Sequence, residues 1–211
     1  MYILSLLSLC YYNILENKFV KNGSDLKLSY NKLNFYHTFT SLLCCMTTYY
    51  YQSELLNNIT MANTVGFFIN DVLVYLKKDN NKLSDYIFIY HHIAGSIYFY
   101  NYVNNPESVW LMSLFWAEVS NIPSQTVYYF IQHERIYGGV RNKKTVLHAK
   151  YIQFFIYSFI RIFIGTYIYF KELNNIGLNK IMIMNIPLVL LGYYWSFIMY
   201  KNDYHKIDFL N

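Results

Sequence analysis

The chain alternates between long apolar runs and short polar connections. The runs cover roughly 2–17, 35–53, 61–76, 85–103, 109–132, 149–170 and 180–200. None alternates apolar and polar positions with period two, as a barrel strand does, so each is read as a helix. Most approach the ~20 residues needed to cross a bilayer, with 2–17 and 61–76 on the short side. The connections are as short as a helical bundle requires. The pattern therefore predicts an all-α, polytopic membrane bundle of about seven transmembrane helices. It divides into an N-terminal transmembrane helix and loop over 1–30, a membrane domain over 31–203 and a short tail over 204–211. Run 2–17 lacks the basic start and small-residue cleavage site of a signal peptide, so it reads as a retained span.

Composition agrees. Of 211 residues, 55% are hydrophobic and 14% are charged, against about 25% charged in an ordinary soluble domain. A disordered chain is never this apolar, and a soluble globule of this length has too little polar surface to cover the remainder. Cys10, Cys44 and Cys45 lie in apolar stretches without metal-ligand spacing, so no metal or disulfide framework is expected.

The net charge of +5 reads as topology and not as nucleic-acid binding. With alternate loops assigned to one side, that side collects Lys18, Lys21, Lys27, Lys32, Lys77, Lys78, Lys82, Arg135, Arg141, Lys143, Lys144, Lys150, Lys201 and Lys206. The opposite side has Lys171 and Lys180, while Arg161 falls inside a span. The positive-inside rule places the rich side, and the C-terminus with it, in the cytoplasm. Tyr49 to Tyr51 and Trp110 at one set of ends, with Tyr128, Tyr129 and Tyr151 at the other, read as interfacial belts. Of two glycosylation sequons, Asn22-Gly23-Ser24 is expected on the cytoplasmic side. Asn58-Ile59-Thr60 is expected on the other side, too close to the membrane for efficient use.

Ionisable groups inside a membrane are costly and mark function by default. Here they are Asp71, His91, His92, Glu118 and Arg161, with His37 at the mouth of a span. His91 and His92 lie about 9 Å in from the cytoplasmic end of their run, and Asp71 lies at a similar depth. Glu118, Asn121 and Gln125 share one helix face at i, i+3, i+7, around Pro123. Tyr157, Arg161 and Gly165 share another at i, i+4, i+8. Gly66, Gly95, Gly165 and Gly192 would allow close helix contacts. Two carboxylates and one arginine need partners, so Glu118 is expected to pair with Arg161, and Asp71 with a histidine.

The ordered set resembles the TLC-domain family of multi-span membrane proteins, which includes the ceramide synthases. The matching pieces are His37; Gly66-Phe67-Phe68-Ile69-Asn70-Asp71; His91-His92; Glu118-Val119-Ser120-Asn121-Ile122-Pro123; and Phe159-Ile160-Arg161. The resemblance implies a six-helix barrel around a lipid-sized cavity, in the endoplasmic reticulum or another internal membrane. In ceramide synthases the matching histidine pair lies in the chamber where an acyl group passes from acyl-CoA to a sphingoid base. Two departures stand out. Gly95 occupies the synthase pattern's Thr position, and Asn121 stands where a second acid is expected.

The leading expectation is a lipid-handling membrane protein, with membrane lipids as partners and no resident cofactor. The alternative is a sphingolipid N-acyltransferase, with acyl-CoA as co-substrate and His91, His92 and Asp71 as catalytic groups. His37, Glu118, Asn121, Gln125 and Arg161 would then be cavity or structural groups. A proton or cation transporter has the least support, because no ladder of ionisable groups crosses the full thickness.

Overall fold

The computed structural model describes residues 2–22, 25–77, 82–137 and 143–204, and nearly all of them are helical. The helices are α1 (Tyr2–Asn22), α2 (Leu26–Tyr51), α3 (Glu54–Leu76), α4 (Leu83–Tyr102), α5 (Trp110–Tyr137), α6 (Lys143–Ser158), α7 (Gly165–Ile176) and α8 (Lys180–Met199). A π-helical stretch, Phe159–Ile164, joins α6 to α7 without a break, so the described residues form seven rods. Gly23, Ser24, Lys78, Arg141 and the tail from His205 onward, on which parts of the topology and sequon readings rest, lie outside the described residues.

Polar side chains set the helix starts. Asp25 accepts from the Leu28 amide at 3.0 Å, Ser53 from Leu56 at 3.1 Å, and Asn179 from Ile181 at 3.0 Å and Met182 at 3.1 Å. Each satisfies an amide that the first turn leaves without a partner. The turn from α2 to α3 passes through Gln52 at φ 48°, and α7 ends on Gly177 at φ 73°.

α2 begins well before the apolar run expected at 35. Its first turns carry polar groups with packed partners. Ser29 donates to the Phe19 carbonyl at 3.0 Å, and Asn31 donates to the Gln125 carbonyl at 3.2 Å. A count of apolar residues does not register such a helix. The second sequon sits inside α3, with Thr60 buried and 2.7 Å from the Thr48 hydroxyl.

Helix neighbours follow one another around a ring. α2 packs on α3, α3 on α4, α4 on α8, α8 on α6 and α7, α6 on α5, and α5 on α2. α1 stands outside this sequence, against α3 and α2. It fits closely because residue 66 is glycine: a Cβ there would lie 2.8 Å from the Leu9 backbone nitrogen and 2.6 Å from the Ser8 Cβ. Gly192 similarly lets α8 approach Arg161, whose Cβ would be 3.0 Å from an added methyl. Gly165 has no such role, since a Cβ there would meet only the Ile160 carbonyl of its own helix.

The outward faces are greasy. Leu6, Phe39, Leu43, Phe163, Leu190 and Phe197 are all exposed. Apolar surface on this scale is foreign to a water-soluble monomer. Among the described residues, three helices are long and apolar enough to cross a bilayer: Glu54–Leu76, Thr145–Ile176 and Lys180–Asn202. This places the chain among membrane proteins. The other rods are of similar length but carry more polar groups, such as Glu16 in α1, Asn31 in α2, His91 and His92 in α4, and Glu118 in α5.

Candidate functional site

The ring lines a half-open cavity of about 540 Å³. Its lining on α8 extends from Met182 to Met199, a length of about 26 Å at 1.5 Å per residue. All eight polar positions singled out in the sequence face it: His37, Asp71, His91, His92, Glu118, Asn121, Gln125 and Arg161. Between them stand apolar and aromatic residues, among them Phe67, Phe68, Phe88, Leu114, Leu188 and Trp195.

Two histidine–carboxylate pairs lie on this wall. In the first, His37 Nε2 is 3.2 Å from Glu118 Oε1. The other carboxylate oxygen accepts from Thr38 at 2.8 Å and Asn121 at 3.3 Å. His37 Nδ1 is 3.0 Å from the Tyr12 hydroxyl, which donates to Asn63 Oδ1 at 2.7 Å. Asn63 in turn donates to Ser41 at 3.0 Å. Both ring nitrogens of His37 thus have polar neighbours. Phe67 stacks on this imidazole at 3.7 Å and 7°.

In the second pair, His92 Nδ1 is 3.1 Å from Asp71 Oδ2, an ion-pair distance without hydrogen-bond alignment. Phe68 stacks on His92 at 4.5 Å and 7°. Gly95 makes that possible, since a Cβ there would lie 3.1 Å from the Phe68 ring. The glycine at the Thr position is thus coupled to the phenylalanine beside the histidine. The His91 ring lies 5.6 Å from that of His92 and 6.1 Å from that of Trp195, and its Nδ1 is buried without a hydrogen-bond partner.

The expected Glu118–Arg161 pair does not form. Glu118 is held by His37 from α2, a neighbour across the ring that helix spacing alone does not reveal. Arg161 instead donates to neutral groups of α5: Nε to Ser120 Oγ at 2.8 Å, and Nη2 to the Ala117 carbonyl at 3.3 Å and Asn121 Oδ1 at 3.2 Å. Asn121 therefore bridges the acid and the cation, in the place where a second acid is expected. Arg161 sits within the π-helical stretch, a distortion frequent at functional sites.

Glu172 is a residue that sequence reasoning missed. It is buried, lines the far end of the cavity and accepts from Tyr98 at 3.0 Å, from the Val109 amide at 2.6 Å and from Ser108. Its carboxylate closes the N-terminal end of α5. The signal was present, because Arg161, Gly165, Ile168 and Glu172 continue one helix face at i, i+4, i+7, i+11. Tyr12 on α1 was likewise unforeseen as a site partner.

Among the described residues, no group of three or more His, Cys, Asp or Glu side chains is placed to hold a metal. No family model, curated protein or solved structure shows significant similarity to the chain.

Proposed function

We propose that this chain is a multi-pass, TLC-like membrane protein that holds a lipid inside its helix ring and acts on membrane lipid composition. All seven rods are taken as spans, the C-terminus faces the cytoplasm, and the endoplasmic reticulum is the expected membrane. The observation that carries the reading is the convergence of eight intramembrane polar groups on one largely apolar cavity within a greasy exterior. Such a cavity suits a chain-and-head ligand, with tails against Phe and Leu and a head against His, Asp and Arg.

The His92–Asp71 contact favours a second reading, acyl transfer. Asp71 stands beside Nδ1 without the alignment of a hydrogen bond; once aligned it would orient the imidazole and leave Nε2 to act as a base. In that reading Nε2 takes the proton of an acceptor amine as its nitrogen forms a bond to the thioester carbonyl carbon. The carbon–sulfur bond breaks, and the departing thiolate receives the proton.

Lipid profiling in cells lacking their own ceramide synthases separates the two. The wild type is compared with the His91→Ala, His92→Ala double variant at matched expression. New ceramides from the wild type alone establish acyl transfer through the pair. An identical shift in phospholipid acyl chains from both proteins establishes lipid holding without that chemistry. No change from either overturns both readings.

A further inference from the structure

Arg161 is a half-buried cation with no carboxylate partner among the described residues. Its nearest acid on α5, Glu118, is engaged by His37, and no other carboxylate among the described residues reaches the guanidinium. Two of its nitrogens are occupied by neutral acceptors, while Nη1 has no partner among the described residues. An ion in this position needs a counter-charge, because neutral dipoles recover only part of its hydration.

Polar atoms of the cavity wall lack partners too. Tyr157, one turn along the same face, lies with its ring 5.5 Å from the guanidinium carbon. Its hydroxyl is buried and unbonded, and the side chain is 4% exposed. Ser124 Oγ, one turn beyond Asn121 on α5, is also unbonded. So is His91 Nδ1. All four side chains line the cavity. A guanidinium and a phenol can both donate a hydrogen bond to one ligand. Water would satisfy the hydroxyls but would not neutralise the charge.

The lining limits what brings that charge. Phe67, Phe68, Phe88, Leu114, Leu188 and Trp195 make much of the remaining wall apolar, which suits an apolar chain carrying the anionic head.

We infer that Arg161, with Tyr157, is the receptor for the anionic head of a lipid chain, a carboxylate or a phosphate monoester. This rests on the lipid-holding reading above. The test uses purified full-length protein in detergent and three probes: palmitate, methyl palmitate and palmitoyl lysophosphatidate. Wild type is expected to bind one or both anions at least tenfold more tightly than the ester, and their ranking tells carboxylate from phosphate. Arg161→Gln should lose about tenfold to a hundredfold of anion affinity with little change for the ester, as expected for a lost charged hydrogen bond. Tyr157→Phe, which removes one oxygen, should lose a few-fold and keeps the test open if the arginine variant does not fold. Equal binding of anions and ester by wild type overturns the anion receptor and leaves lipid holding intact. Binding of none of the three overturns both.

Discussion

The two histidine–carboxylate pairs are chemically alike and physically opposite. Each sets an imidazole within about 3 Å of an acid, and each imidazole is covered by one of two consecutive phenylalanines. In the His37–Glu118 pair both side chains are 3% exposed, and the surrounding hydrogen bonds draw in α1, α2, α3 and α5. In the His92–Asp71 pair the side chains are 11% and 20% exposed, and the described contacts join α3 and α4 alone. The closed pair is a clasp, because its groups are spent on one another. The open pair keeps a ring nitrogen and a carboxylate on the cavity side. Identity of residue type therefore says less about role than the number of groups already bound.

The strongest way to break this comparison is Glu118→Ala. It leaves His37 and Thr38 buried without their shared acceptor, and should cost about 3–5 kcal/mol in unfolding measurements in detergent. Loss of less than about 1 kcal/mol would show that the clasp is no clasp. Gly95→Thr probes the open pair from behind. The new side chain must displace Phe68 from His92, at an expected cost of about 1–3 kcal/mol, with weaker lipid retention. Asp71→Asn should have the smallest effect on stability, about 1 kcal/mol or less. It should still remove any ceramide synthesis in the lipid-profiling experiment, since an asparagine does not stabilise an imidazolium. If Asp71→Asn is as unstable as Glu118→Ala, the two pairs do the same job.

Much of the cavity wall was legible in the sequence because intramembrane polar residues are few and each needs a reason. Spacing put Glu118, Asn121 and Gln125 on one face, and that face lines the cavity. Partners were less legible. Helix periodicity fixes a direction, but who stands opposite depends on ring order, and so Glu118 met His37 instead of Arg161. Glu172 was hidden beside Lys171 at the edge of an apolar run, where an acid looks like a loop residue. The early turns of α2 were hidden for the related reason that Ser29 and Asn31 are packed polar groups. The π-helical stretch at Arg161 leaves no trace in residue type that we can name.

Tyr12 carries one more consequence, in the order of synthesis. Its acceptor Asn63 lies 51 residues downstream, a delay of about 3–10 s at 5–20 residues per second. Glu118, which completes the clasp, is made later still. Through that interval α1 has no α3 to dock on, and Tyr12 and His37 stand in the nascent chain with half their partners unborn. The clasp is therefore the seal on a long assembly. A chain stalled before residue 118 would hold the pieces of the site without the charge that locks them.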